Sequence, residues 1–119
     1  MPDTPPFEEA ALEQLQQLGG DSFVHEMVRM FYGYSDEKLA AARAALAAGD
    51  LDGVEKAIHP LKTSAGHVGA ADMKRLSQQI EQFSRAGDGA PIPDLLSALE
   101  QAYTDVKPRL DAKLGDYPA

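Results

Sequence analysis

The sequence predicts an all-α fold: an antiparallel up-down-up-down four-helix bundle with an additional short N-terminal helix. Three observations predict it. Apolar residues recur at intervals of three and four almost throughout, as on a helix that buries one face. Alanine, leucine, glutamine and glutamate are abundant, and runs of alternating β-branched residues are missing. Glycine and proline fall between the periodic segments and leave short connections, which set consecutive helices side by side and antiparallel.

A first helix is predicted over roughly residues 7–18. Pro5 and Pro6 stand before or at its start, where a missing N–H costs little. Phe7, Ala11, Leu15 and Leu18 form its apolar face, and Gly19-Gly20 ends it. Asp21 or Ser22 is placed to cap a second helix. Its stripe reads Phe23, Met27, Met30, Phe31 and Tyr34, continued after a small rotation by Leu39, Ala42 and Leu46. Gly33 lies inside this run, at about 1 kcal/mol relative to alanine, and Ser35 offers a fresh start. One helix over 21–48, bent near 33–35 and closed by Gly49, is the favoured reading.

Asp50 caps a third helix, whose seam is Leu51, Val54, Ile58, Leu61, Ala65 and Val68, with Gly69 at its end. A fourth carries Met73, Leu76, Ile80 and Phe83 and stops near Gly87. "GDGAPIPD" reads as a loop. The last helix begins near Pro93 and presents Leu96, Leu99, Tyr103, Val106, Leu110 and Leu114, with a kink expected at Pro108. The 119 residues are expected to form a single domain, 1–119, with its bundle core at about 21–114 and the first helix lying across one end as a lid.

Composition narrows the function. The net charge of −8 argues against nucleic acid, which needs a basic footprint, and against an anionic membrane surface. Without cysteine there are no disulfides, thiolate metal sites or cysteine nucleophiles. "MPDTPPFEEA" has no basic region followed by an apolar run, so no secretory leader is expected. No apolar stretch approaches the ~18 residues of a membrane span. A cytoplasmic protein is expected, and the initial methionine favours a complete one.

The chemistry gathers on "AIHPLKTSAGHVGA", residues 57–70. With Ile58 and Leu61 facing inward, His59, Lys62, Glu55 and Gly66 turn away from the seam together. The third and fourth helices form a hairpin turning near residue 70, so the position opposite 59 lies near 81. Gln78 and Glu81 occupy the polar flank there. A carboxylate accepting the Nδ1 hydrogen of His59 fixes the tautomer and leaves Nε2 as a nucleophile at neutral pH. The Lys62 ammonium favours an incoming phosphoryl group. There is no glycine-rich nucleotide loop, so that group must come from another protein. Taken singly, each residue has a plainer reading. A lone exposed histidine is ordinarily only surface, as His25 and His67 are taken to be; Glu81 alone reads as an exposed partner of Arg85 at i+4. His59 and His67 are eight residues apart, about 12 Å along a helix and too far to share a metal.

"HPLKTSAGHVGA" resembles the signature of histidine-containing phosphotransfer (HPt) domains, in His59, Leu61, Lys62, Ser64, Ala65, Gly66, Val68, Gly69 and Ala70. "AALAAGDLDGVEKAIH" before it and "LSQQIE" after it are also similar to the family, over roughly residues 20–110. The resemblance implies a phosphorelay intermediate that exchanges phosphoryl groups with aspartates of response-regulator receiver domains and works with a hybrid sensor histidine kinase. It implies His59 as phosphoacceptor, Lys62 steadying the phosphoryl group, and a glutamine or glutamate at the position of Glu81 holding the imidazole, with Gln78 the neighbouring candidate. Small residues at the motif let a receiver come close, which assigns that role to Ser64 and Gly66 and to the position of Thr63. No catalytic activity and no cofactor of its own are expected, since Mg2+ sits on the receiver, and a monomer is expected. Two positions depart from the family: Thr63 stands where glycine is usual, and Pro60 follows the histidine directly. The alternatives are an adaptor that docks receivers without phosphotransfer, and a phosphoacceptor served by a kinase domain in trans.

Overall fold

The computed structural model describes residues 7–118, and every regular element among them is an α-helix. They are α1 (Glu9–Gly19), α2 (Asp21–Ala47), α3 (Leu51–His67), α4 (Ala71–Arg85) and α5 (Ile92–Leu114). α2 packs on α3, α3 on α4, α4 on α5, and α5 back on α2. Short connections make each neighbour antiparallel, which gives the up-down-up-down bundle. Val24, Val28, Ile58, Leu61, Ile80 and Leu99 are fully buried at its centre. Each such aliphatic side chain contributes about 1.5–3 kcal/mol on burial.

α1 packs on α2 and α3 at one end of this bundle. The backbone N–H of Glu8 donates to the carbonyl of Gly69 at 2.8 Å, tying the start of α1 to the turn between α3 and α4. Gly69 has φ +79°, and a Cβ there would strike the Glu8 carbonyl oxygen. Glycine is therefore required at that turn on two counts. At the opposite end Asp50 caps α3, its carboxylate accepting from the Gly53 N–H at 2.9 Å.

Several expectations are corrected. Pro5 and Pro6 lie outside the described residues. α1 buries Leu12 and Leu15, while Leu18 stands 79% exposed. Neither Asp21 nor Ser22 caps α2: Gly20, at φ 85°, leads straight into it, with no side-chain cap. One helix spans Asp21–Ala47, and Ser35 does not restart it but lies fully buried inside. The inward face of α2 is Val24, Val28, Phe31, Ser35, Leu39 and Ala42. Of the predicted stripe, Phe23 and Met27 are only partly buried, and Met30 and Tyr34 are exposed. α3 and α5 run unbroken through Pro60 and Pro108. Lys56, whose carbonyl loses its helical donor to Pro60, is an exposed residue, so water can replace that bond.

Candidate functional site

His59 stands on α3 with its side chain 56% exposed. The register that sinks Ile58 and Leu61 into the core turns His59 and Lys62 towards α4. There they meet Glu81, whose side chain is only 3% exposed. One carboxylate oxygen of Glu81 accepts from His59 Nδ1, and the other accepts from Lys62 Nζ at 2.7 Å. Arg85, one turn further along α4, reaches the first oxygen at 3.2 Å and also pairs with Glu55 on α3. Glu81 is thus a buried acid, and Arg85 is its partner in addition to His59 and Lys62.

Burial pushes the Glu81 carboxyl pKa up. The hydrogen bonds from Lys62 and His59, and the charges of Lys62 and Arg85, outweigh that and hold it below the ordinary carboxylate range. Glu81 is therefore ionised near neutral pH. A carboxylate only accepts, so Nδ1 of a neutral His59 carries the hydrogen and Nε2 keeps its lone pair. The same carboxylate orients the imidazole and anchors the ammonium beside it.

The other flank of α3 is apolar. A groove of about 480 Å³ runs between α2 and α3. Met27, Met30, Phe31 and Tyr34 line it from α2, and His59, Pro60, Thr63, Ser64, His67 and Val68 from α3. Met30 is 60% exposed, and Tyr34 is exposed at the same rim. His59 lies where the acid-lined flank and this groove meet.

Not every candidate from the sequence is brought here. Gln78 is exposed and makes no hydrogen bond to His59 or Lys62; Glu81 alone supplies the contact from α4. Gly66 faces the aliphatic part of Lys74 on α4, 3.5 Å from where a Cβ would stand, and does not line the groove. Thr63 is exposed and Ser64 half-buried, both on the groove wall. His25 does not line the groove and bonds to the carbonyl of Tyr117 at 2.6 Å, whereas His67 shares the groove with His59. Sequence reasoning missed the Glu55–Arg85 pair, although the hairpin count that pairs 59 with about 81 also pairs 55 with 85. Among the described residues, no three His, Asp or Glu side chains are grouped to hold a metal ion, and no helix is long and apolar enough to cross a membrane.

Comparison with known proteins bears on both fold and site. The family model described as the Hpt domain matches residues 26–108, which contain every residue of the acid-lined flank and the groove. No curated protein matches. The crystal structure of histidine-containing phosphotransfer protein B from Pseudomonas aeruginosa is similar with a TM-score of 0.89 at 22% identity, covering 98% of this chain and 100% of that one. A rice protein provisionally described as a histidine-containing phosphotransfer protein gives 0.80 at 24% identity, covering 93% of this chain and 81% of that one. At these identities the two structures bear on the fold alone.

Proposed function

The chain belongs to the Hpt domain family, and from that premise we propose that it is a phosphorelay intermediate that carries a phosphoryl group on Nε2 of His59. The observation that carries this reading is the buried Glu81 carboxylate, which engages Nδ1 of His59 and Nζ of Lys62 together. It leaves Nε2 as the free nitrogen of a half-exposed ring.

The donor is the aspartyl phosphate of a receiver domain. Nε2 attacks phosphorus with its lone pair. The N–P bond forms as the acyl P–O bond breaks, and the leaving electron pair stays on the receiver aspartate. The imidazole then carries positive charge, which the carboxylate against Nδ1–H offsets. The Lys62 ammonium draws the phosphoryl oxygens while they pass between the two proteins. The reverse sequence returns the group to a second receiver. Mg2+ belongs to the receiver's acidic pocket, and this chain acts as carrier without catalytic activity of its own.

Receivers dock on the groove beside His59. Methionine suits a surface that meets more than one partner, and covering it excludes water from the transfer. Met30 and Tyr34, exposed at the rim, are the apolar contacts. Response-regulator receivers and the receiver of a hybrid sensor histidine kinase are the partner class. The protein works as a monomer in the cytoplasm.

Labelling from phosphorylated receivers tests the reading. Wild-type protein should acquire an acid-labile, base-stable label on one residue. His59→Gln should acquire none while keeping its helical content. Equal labelling of that variant, or label on His25 or His67, would overturn the assignment, and no labelling from any receiver would favour an adaptor.

A further inference from the structure

We infer, resting on the docking surface proposed above, that Gly33 is a close-approach point on α2 whose missing side chain lets a receiver seat squarely over His59. Ten glycines occur in the chain, all among the described residues. Gly20, Gly49, Gly69 and Gly87 have positive φ. Five of the other six have neighbours within 4 Å of where a Cβ would stand. Gly33 has neither feature: its backbone is ordinary helix, and among the described residues nothing lies within 4 Å of a Cβ built on it. It is exposed in the middle of α2. Glycine is the poorest helix former after proline, so any straight-chain residue there would make a better helix. Nothing among the described residues asks for glycine at this position.

Its surroundings do. Helical spacing sets Gly33 beside Met30, with Arg29 and Glu37 one turn to either side, all three exposed. Met30 and Tyr34 form the α2 rim of the groove, and Gly33 is the gap in the side chains along the crest behind that rim. On the α3 side the exposed, β-branched Thr63 stands on the wall. A protein that covers the groove and reaches Nε2 of His59 is bounded by Thr63 on one helix and by the crest of α2 on the other. A side chain at 33 raises that crest and tilts the docked body away from the ring. Transfer is sensitive to tilt, since a misplacement of about 1 Å can cost ~100-fold in rate.

The test uses full-length Gly33→Ala and Gly33→Gln with two phosphodonors. One donor is the fastest receiver among those of the source organism, charged with acetyl phosphate. The other is phosphoramidate, small enough to reach Nε2 without docking; its N–P bond breaks as the new one forms, and ammonia leaves. Both variants should melt higher than wild type, by about 3–5 °C for alanine. Labelling by phosphoramidate should be unchanged. The second-order rate constant for transfer from the receiver should fall by about 3-fold for alanine and at least ~10-fold for glutamine. Unchanged receiver transfer in both variants would overturn the inference. So would an equal loss with phosphoramidate, which places the effect on the histidine, or a lower melting temperature, which gives the glycine an internal role. If wild-type His59 takes label from phosphoramidate but from no receiver, the proposed function fails first and this inference with it.

Discussion

On the α4 side of α3, His59 meets a buried carboxylate whose every near neighbour is a donor or a cation. On the α2 side, the same ring borders a groove walled by methionine, tyrosine and proline. The first flank is complete within the chain: Glu81 is satisfied by His59, Lys62 and Arg85, and Arg85 in turn by Glu55. The second is incomplete, because Met30 and Tyr34 leave apolar surface in water. A self-satisfied polar cluster holds one geometry, whereas an uncovered apolar groove gains free energy only when something covers it. The fold thus separates the holding of the histidine from the recognition of whatever meets it. Variants on the two flanks should therefore fail in different ways.

The largest effect should come from breaking the complete flank at its centre. Glu81→Ala removes two charge-assisted bonds at once, worth about 3 kcal/mol together, so transfer from a phosphorylated receiver should slow by ~100-fold. Labelling by phosphoramidate should fall with it, because the tautomer and pose of the ring are lost for any donor. Lys62→Ala removes one such bond and should cost about 10-fold with the receiver. Gln78→Ala should be silent, since Gln78 makes no hydrogen bond to the site. Rapid-quench kinetics with both donors would read all three.

Acid should take the same flank apart. Glu81 has a folded pKa below its unfolded one, despite burial, because the bonds from Lys62 and His59 and the neighbouring charges prevail. The unfolded chain therefore binds that proton first as pH falls. The stabilisation is fully present above the unfolded value, near 4.3, and is lost as pH drops through the folded value. The melting-temperature gap between wild type and Glu81→Gln should be present at neutral pH and narrow below about 4.5. A gap that stays constant down to pH 3 would mean the carboxylate is not held as described.

The two flanks were not equally legible in the sequence. The polar one follows from counting: a hairpin turning near residue 70 brings residues equally far from the turn face to face, and 59 falls opposite 81. The same count pairs 55 with 85. The apolar flank was legible only in part: the stripe read on α2 holds Phe31, Leu39 and Ala42, which are buried, together with Met30 and Tyr34, which are exposed. Phe23, Met27, Met30 and Tyr34 carry the bulk on α2, but the core takes Val24, Val28, Phe31 and Ser35. The two sets are offset by one residue, about 100° around the helix. Periodicity cannot tell a stripe that faces the core from one that faces a partner, since both are apolar at the same spacing. The inward positions of α2 are held by compact side chains such as Val24, Val28 and Ser35, while flexible methionine and half-polar tyrosine fit a surface that is covered only in part. A cap at Asp21 or Ser22 was equally invisible as an error, because the positive φ of Gly20 turns the chain into α2 without one.

The incomplete flank should break only for a protein donor. Met30→Asp places a charge on the groove rim, where Met30 is 60% exposed. Stability should change by no more than about 0.5 kcal/mol, as for most surface substitutions. Transfer from a receiver should slow by about 10-fold through weaker docking, read as a higher half-saturating receiver concentration in single-turnover kinetics, as expected when an apolar side chain is removed from a docking surface. Phosphoramidate labelling should not change. If both donors slow together, the groove and the polar flank are one functional unit, and the division of labour between them is wrong.

The smallest expected effect sits at the boundary, at Thr63. Its side chain is exposed on the groove wall, four residues beyond His59 and so on the same side of α3. Its hydroxyl makes no hydrogen bond among the described residues, which leaves it as an obstacle or as a contact for a docked protein. Thr63→Gly should lower stability by roughly 0.3–0.5 kcal/mol, because glycine is the poorer helix former. If Thr63 is an obstacle, the variant should transfer about as fast as wild type or up to ~3-fold faster, or accept additional receivers. A lower melting temperature with equal or faster transfer separates access from stability, since the two move in opposite directions. If the variant instead melts lower and transfers more slowly with its usual receiver, the threonine methyl belongs to the docking surface with Met30 and Tyr34. In that case the apolar flank reaches past the histidine, and the boundary between holding and recognition lies on the Glu81 side of His59.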